Sequence, residues 1–275
     1  MAFELFKTRY FSAGACTDPG TVRPDNQDSY RCCPGSGLFV VSDGMGGGDD
    51  GGRASAMVVR NIARAALTPC RKLSSAVRFA YQANSEIARF AAENDLRGMG
   101  ATLVGVLLSP FDPGSALLFS AGDSRCYRLR RNELTQLTRD HTIATAMGVA
   151  EEKLAKHLQG VLTNAAGCGA GFFVEEQPLG IMAHDRYLLC SDGICRQLPD
   201  PEIREILASA APAGEKAKAL VAASLKHGGI DNATALVIEF GELPEITDAV
   251  RREEAECPEI ADEEVADDGV TPPTA

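Results

Sequence analysis

The sequence lacks any apolar run close to the roughly 20 residues that a helix needs to cross a bilayer. Its first ten residues alternate charged and apolar side chains, so they do not resemble the core of a signal peptide. The nine cysteines include no Cys-x-x-Cys pair, which argues against a zinc site and favours reduced thiols that pack as small side chains. These absences predict a soluble, cytoplasmic protein that does not bind a membrane.

Positive charge is also scarce, because the 275 residues carry 27 Lys plus Arg against 38 Asp plus Glu. This balance argues against a surface for nucleic acid or anionic lipid. The excess of acidic residues lies at the end of the chain, where twelve Asp and Glu residues follow Gly241 and the basic residues are only Arg251 and Arg252. We therefore predict a folded domain over residues 1–240 and an acidic, disordered tail over 241–275. We interpret the tail as a solvated extension, with a docking arm or a competitor for a basic cleft as alternatives.

Hydrophobic periodicity predicts blocks of short strands between pairs of helices. Strands are expected over 37–42, 101–108, 115–121, 126–130, 133–137, 186–190 and 234–240, and helices over 53–67, 73–93, 201–210 and 213–226. The four strands between 101 and 137 follow one another so closely that we expect antiparallel hairpins. The weaker pattern over 141–172 predicts a mobile insertion with a short helix at 151–157. The fold class is α+β, a four-layer α-β-β-α sandwich in which helix pairs flank two antiparallel sheets.

Acidic residues recur where the predicted strands end. Ser-Asp-Gly closes two apolar strands, at Asp43 and at Asp192, while Asp123 follows another strand and Asp231 precedes the last one. One such sequence is typical of a turn, but four carboxylates at one sheet edge would repel each other unless they are protonated or bind cations. With only four His and no clustered Cys, the ligands would be oxygens, which favour Mg²⁺ or Mn²⁺. The spacing indicates metal-assisted hydrolysis without naming a substrate.

Seven short motifs also follow one another in order between residues 11 and 240. They are Thr17-Asp-Pro-Gly-Thr-Val-Arg23-Pro-Asp-Asn-Gln27-Asp28, Ser42-Asp43-Gly-Met-Gly-Gly47, Gly100-Ala-Thr102, Ala121-Gly-Asp123-Ser-Arg125, Leu137-Thr-Arg-Asp-His141, Leu189-Cys-Ser-Asp192-Gly193 and Asp231-Asn232-Ala-Thr234. This ordered set resembles the metal-dependent protein phosphatase family (type 2C, or PPM), in its compact bacterial form. The resemblance implies an enzyme that hydrolyses phosphoserine and phosphothreonine in proteins, with a binuclear metal centre at one edge of a β-sandwich.

The resemblance also implies a ligand set. Asp43 would bridge two Mn²⁺ or Mg²⁺ ions, the Gly44 carbonyl would bind one of them, and Asp192 with Asp231 would hold the other. Asp123 would be a ligand of a third, weaker ion that many members of the family bind.

Three residues are expected to be catalytic by the same resemblance, namely Arg23, Asp28 and Asp43. Arg23 would also be the substrate-binding residue, because a guanidinium matches the geometry of phosphate oxygens. Asp28 would hold a metal-bound water, and a water between the ions would attack phosphorus directly. The implied partners are phosphoproteins and an opposing Ser/Thr kinase, for an enzyme that acts as a monomer.

The chain departs from the family pattern at several positions. Gln27 stands where Glu is frequent, and Arg196 where a further Asp is common. Arg196 would either weaken the binding of an extra ion or contact the substrate phosphate. Gln159, Gly160 and Asn164 stand in a stretch where relatives often have arginines, so the substrate preference of relatives is not carried over.

Two other classes of function are kept as alternatives. A catalytically silent binding module would be consistent with Gln27 and Arg196, and a phosphoesterase of small molecules would use the same metal chemistry. Ser124 and Ser191 are interpreted as caps of turns, and His141 as a structural turn residue.

Overall fold

Two antiparallel β-sheets separate three apolar cores in the computed structural model, which describes residues 10–46, 50–67 and 73–245. The strands are β1 (Phe11–Asp18), β2 (Asp28–Cys33), β3 (Leu38–Met45), β4 (Gly100–Ala101), β5 (Leu103–Leu108), β6 (Ser115–Ala121), β7 (Arg125–Arg130), β8 (Glu133–Gln136), β9 (Glu175–Gly180), β10 (Arg186–Cys190) and β11 (Ala233–Phe240). The helices are α1 (Asp50–Ala63), α2 (Ser75–Glu93), α3 (Ile143–Met147), α4 (Asp192–Cys195), α5 (Asp200–Ala208) and α6 (Ala213–Lys226).

The first sheet has the strand order β1-β11-β10-β7-β8, and the second has the order β2-β3-β5-β6-β9 with β4 paired to β3. Helices α1 and α2 cover the second sheet, and α5 and α6 cover the first. The predicted α+β sandwich with four layers is therefore confirmed. Within the described ranges, no helix has the length and hydrophobicity that crossing a bilayer would need.

Burial on both faces explains why the central strands are almost continuously apolar. On β3, Val40 packs toward the helices while its neighbours Phe39 and Val41 pack between the two sheets. On β10, Leu188 packs toward the other helix pair and Leu189 packs between the sheets. Because successive side chains of a strand point to opposite faces, such a run contributes to two cores at once. The Ser-Asp-Gly sequences begin where these buried runs stop.

The predicted strands do not include β1, β2 and β9, which all lie at the edges of their sheets. The fourth edge strand, β8, was predicted over 133–137. An edge strand pairs on one side only and keeps part of its surface in water. Accordingly β9 consists of Glu-Glu-Gln-Pro-Leu-Gly with only Leu179 buried, and β2 carries a partly exposed Tyr30. Such strands do not show the apolar pattern that identified the central ones.

Two other expectations were wrong. The chain between β6 and β7 is not a hairpin, because β6 belongs to the second sheet and β7 to the first. Gly122 makes this crossing with a positive φ of 101°, and a Cβ there would lie 2.6 Å from Cγ2 of Thr102. The helix expected at 151–157 consists of two separate 3₁₀ turns, Glu151–Lys153 and Lys156–Leu158. The predicted tail lies outside the described residues beyond Glu245.

Candidate metal centre and active site

Strand pairing brings the predicted carboxylates to one edge of the sandwich. Asp28 at the start of β2 lies directly opposite Asp43 near the end of β3. In the other sheet, strands β10 and β11 are neighbours. Asp192 lies two residues after the end of β10, and Asp231 precedes β11. Asp123 lies in the connection that crosses between the sheets. All four of the other carboxylates raise the pKa of Asp43 by charge repulsion, so the five acids form one cluster.

Asp43 is the member of this cluster that interacts with all four of the others. Burial, together with the neighbouring carboxylates, raises its pKa well above the usual value for Asp. Its backbone is held by Thr102, whose hydroxyl accepts the Asp43 N–H at 3.0 Å and whose own N–H donates to the Asp43 carbonyl at 2.8 Å. The Thr102 hydroxyl also lies 2.6 Å from that of Ser124, next to Asp123. Thr102 thus ties the end of β3 to the crossing connection.

Asp28 is held from the opposite sheet. Its Oδ2 accepts hydrogen bonds from the hydroxyls of Ser191, at 2.7 Å, and Thr234, at 2.6 Å. Its buried Oδ1 has no hydrogen-bond partner. Burial raises the pKa of Asp28 to about 7, although the two hydroxyl hydrogen bonds act in the opposite direction. Ser191 was interpreted as a cap of its turn, and this was wrong: it makes no capping bond to α4 and donates to Asp28.

Asp192 also has a buried oxygen, Oδ1, without a hydrogen-bond partner. Burial is the main cause that raises its pKa, and the nearby Arg196 guanidinium lowers it in part. Buried acceptors without donors are costly, and so is mutual repulsion between buried carboxylates. Divalent cations would relieve both costs, and hard oxygen ligands suit Mg²⁺ or Mn²⁺. The residues of this edge therefore fit the ions that the resemblance implies.

The cluster is not a complete coordination shell by itself. Across the described ranges, no group of three or more His, Cys, Asp or Glu side chains is already arranged around a metal position. Asp231 is turned to other partners, since its Oδ2 accepts from Nη2 of Arg23 at 2.8 Å and its Oδ1 from the N–H of Asn232 at 2.9 Å. An ion at Asp231 would use a remaining lone pair of these oxygens or displace Arg23 from Oδ2.

The glycines that follow two of these acids are required by close packing. A Cβ on Gly44 would lie 2.0 Å from the carbonyl oxygen of Gly51 and 2.7 Å from that of Gln27. A Cβ on Gly193 would lie 2.0 Å from the carbonyl oxygen of Asn232. In both places another backbone segment fills the space of a side chain, which explains why Gly follows Asp.

Arg23 lies at the open side of the cluster, with 55% of its side chain exposed. The loop that carries it is fastened by Asn232, whose amide donates to the carbonyls of Pro19 and Asp25 and accepts the N–H of Gln27. The Asp231 hydrogen bond raises the pKa of Arg23, so the guanidinium remains charged. A charged and exposed guanidinium beside a metal centre is suited to bind phosphate oxygens.

Arg196 takes a different position. Its Nη2 donates to Oδ2 of Asp123 at 2.7 Å, and its Nε lies 3.3 Å from Oδ2 of Asp192. Burial and the Asp192 charge raise the pKa of Asp123 to about 7, while Arg196 acts to lower it. The structure therefore pairs the carboxylate expected to bind a third ion with an arginine of the same chain.

His141 has the structural surroundings expected of it. It is buried, and its Nδ1 accepts the N–H of Gly122 at 3.0 Å. Its Nε2 lies 3.3 Å from Glu175. Three further residues of the site, Thr102, Asn232 and Thr234, entered the sequence comparison only as parts of motifs, without a role of their own. A hydroxyl or amide next to a strand-end carboxylate was the available signal.

Residues 23–227 match the sequence model of the family described as Protein phosphatase 2C. The chain belongs to this family. The serine/threonine phosphatase stp of Listeria monocytogenes is 32% identical over 238 residues, which cover 81% of this chain and 93% of that protein. The serine/threonine protein phosphatase PstP of Mycobacterium tuberculosis is 37% identical over 240 residues, 82% of this chain and 44% of that protein.

Solved structures agree with this membership. The catalytic domain of PstP in complex with two manganese ions has a TM-score of 0.75 and 32% sequence identity, covering 84% of this chain and 99% of that one. The family, the fold class and the class of enzyme expected from the motifs, a protein serine/threonine phosphatase, are thereby confirmed. The roles of single residues stay predictions.

Proposed function

We propose that this chain removes phosphate from phosphoserine and phosphothreonine in proteins, using two bound Mn²⁺ or Mg²⁺ ions. The observation that carries the proposal is the cluster of five carboxylates at one sheet edge, four of which have a raised pKa. Family membership and the manganese ions of PstP support the same function. The ions, when bound, would lower the pKa of a bound water, so that the hydroxide that attacks phosphorus forms near neutral pH. They would also stabilise negative charge on the phosphoryl oxygens.

The chain's own residues would divide the work of holding the ions. Asp43 lies at the centre of the acidic cluster, which suits a ligand shared between two ions. The Gly44 carbonyl is adjacent in sequence and would serve one ion, while Asp192 and Asp231 would serve the other. Asp192 brings a buried oxygen that lacks a hydrogen-bond partner, so this oxygen is available to bind a cation.

Asp28 and Arg23 would act on the water and on the substrate. The unpartnered Oδ1 of Asp28 would orient the attacking water, while Ser191 and Thr234 keep the other oxygen in place. Arg23 would bind the oxygens of the transferred phosphate from the exposed side. Since water attacks phosphorus directly, no phosphoenzyme is expected.

The test is hydrolysis of a phosphothreonine peptide in the presence of Mn²⁺, with and without a chelator. Asp192→Asn is expected to lower kcat/KM by more than about 100-fold, because even residues that only support metal ligands cost roughly 10–100-fold. Asp200→Asn is the matched control, since Asp200 is exposed and also begins a helix. Full activity in chelator, or in the Asp192 variant, would contradict the proposal.

The two alternative functions give different results in the same assay. A silent binding module would bind phosphopeptides without hydrolysing them, and a small-molecule phosphoesterase would prefer nucleotides or sugar phosphates. A higher kcat/KM for phosphopeptides than for these compounds favours the protein phosphatase. An opposing Ser/Thr kinase, a cytoplasmic location and a monomeric state are further parts of the proposal, supported by the family resemblance.

The division of the chain after residue 240 is also part of the proposal. It is supported by the end of β11 at Phe240 and by the concentration of acids that follows. A chain ending at Glu245 should hydrolyse the phosphopeptide with unchanged kcat/KM at physiological salt, where charges more than about 8 Å apart are screened. A several-fold rise in activity would show instead that the tail competes for the site.

A further inference from the structure

Arg196 faces three carboxylates with its three guanidinium nitrogens. Nη2 lies 2.7 Å from Asp123, Nε lies 3.3 Å from Asp192, and Nη1 lies 3.6 Å from Glu151. Asp123 and Asp192 belong to the acidic cluster, whereas Glu151 belongs to a separate stretch between α3 and β9. One cation of the chain thus joins the metal centre to a segment outside it.

The same guanidinium packs against the backbone of that segment. Gly160 has a positive φ of 70°, and a Cβ there would lie 2.9 Å from Nη1 of Arg196. The base of the segment is fastened separately, because Ile143 donates to the carbonyl of Val161 and Thr163 donates to that of His141. Arg196 therefore contacts the outer part of the segment, residues 148–160, near both of its ends.

These contacts decide between the two roles left open for Arg196. A guanidinium that binds a substrate phosphate must offer a free edge with two N–H groups. Every nitrogen of Arg196 already lies near a carboxylate, and only 32% of its side chain is exposed. Arg23 is more exposed, at 55%, and pairs through one nitrogen with Asp231. Arg23 is the better phosphate ligand, whereas Arg196 is held in place by ion pairs.

We propose that Arg196 is a positioning residue that closes Asp123 to a metal ion and ties residues 148–160 to the acidic centre. The part of the inference that concerns Asp123 rests on the proposed function, because it states which carboxylates bind the ions. A guanidinium between Asp123 and Asp192 supplies the positive charge that an additional cation would otherwise bring. Binding of an ion at Asp123 would require the guanidinium to leave. The enzyme therefore works with two ions, and the placement of the 148–160 segment does not depend on metal.

The first experiment counts bound Mn²⁺ by isothermal titration and native mass spectrometry. The unaltered protein and Asp123→Asn should both bind two ions, because Asp123 is not a ligand while Arg196 is present. Arg196→Gln should gain a third, weaker ion, and adding Asp123→Asn to it should remove that ion again. Loss of an ion from Asp123→Asn alone, or an unchanged count in Arg196→Gln, would overturn the inference.

The second experiment measures hydrogen exchange of residues 148–160 in the metal-free protein. Arg196→Gln should exchange about tenfold faster there, as expected when a charge-assisted hydrogen bond is lost, and Glu151→Gln should show a smaller increase. Arg204→Gln is the control, since Arg204 contacts Asn132 on the surface outside the acidic cluster. Unchanged exchange in Arg196→Gln would overturn the tie to the segment.

The two experiments also separate this inference from the proposed function. A protein that binds no Mn²⁺ and does not hydrolyse phosphopeptides would refute the function together with the metal half of the inference. The exchange of residues 148–160 would still decide the other half. Arg196→Lys keeps the charge and guards against misfolding as an explanation, and it should retain the count of two ions.

Discussion

At the scale of single residues, the two oxygens of Asp28 have opposite surroundings. Oδ2 accepts two hydroxyl hydrogen bonds from the other sheet, while the buried Oδ1 has no partner. Each hydroxyl favours the ionised carboxylate and fixes its orientation. Asp28 is thereby held with one oxygen in place and the other directed to whatever binds at the cluster.

Removing one of these hydroxyls tests that view. Thr234→Val keeps the shape of a β-branched side chain in β11 and is expected to lower kcat/KM by about tenfold, because a hydrogen bond to a charged group contributes about 1.5–3 kcal/mol. Thr135→Val in the edge strand β8 is the matched control. The measurement is phosphopeptide hydrolysis at saturating Mn²⁺, and wild-type activity in Thr234→Val would refute the assigned role.

At the scale of elements, the turn after β10 combines a strand end, a short helix and a close backbone contact. Asp192 is the first residue of α4, and Gly193 packs against the carbonyl of Asn232, which precedes β11. The hydroxyl of Ser224 on α6 donates to the carbonyl of Gly193 at 2.6 Å. The position of Asp192 therefore depends on three neighbouring elements.

A methyl group at Gly193 should separate these elements. Gly193→Ala would place Cβ 2.0 Å from the Asn232 oxygen, so the backbone must move at a cost of about 1–3 kcal/mol, the usual range for overpacking. We expect a lower melting temperature and weaker Mn²⁺ binding.

Gly214 is the matched control, because it is also the second residue of a helix and a Cβ there meets nothing within 4 Å. Gly214→Ala should be neutral or stabilise the protein by up to about 1 kcal/mol. Equal melting temperatures for the two variants would show that the contact at Gly193 is unimportant.

At the scale of the whole molecule, the clustered acids make the stability of the metal-free protein depend on pH. Asp28 and Asp123 have a pKa near 7, and that of Asp43 and Asp192 is also raised. The folded protein binds these protons more tightly than the unfolded chain, so the free energy of unfolding falls as pH rises from about 4 to about 7. His141 acts with the opposite sign, since burial lowers its pKa.

Urea unfolding in chelator should therefore give a higher stability at pH 5 than at pH 8. The Asp28→Asn variant should lose part of this difference, which separates the cluster from His141. Saturating Mn²⁺ should reverse the trend, because the ion binds the ionised carboxylates of the folded state only. A metal-free protein that is as stable at pH 8 as at pH 5 would contradict the clustering of buried acids.

The amino-acid sequence alone determined the parts of this protein that local patterns encode. Central strands such as β3 and β10 are apolar on both faces, and the amphipathic helices have one apolar face, so both could be predicted. The acids at their ends and the ordered motifs identified the family and the candidate ligands. Each of these signals lies within a few consecutive residues.

Only the tertiary structure decided which distant residues meet. Local sequence did not reveal the edge strands β1, β2 and β9, because one side of each has no partner and needs no apolar pattern. It did not place Thr234 on Asp28 or Arg196 on Asp123, because these contacts join residues 206 and 73 positions apart. The packing of the two sheets against each other and the path of the connecting segments set such distances. The sequence around a hydroxyl or a guanidinium is the same whether that group faces water or a buried carboxylate.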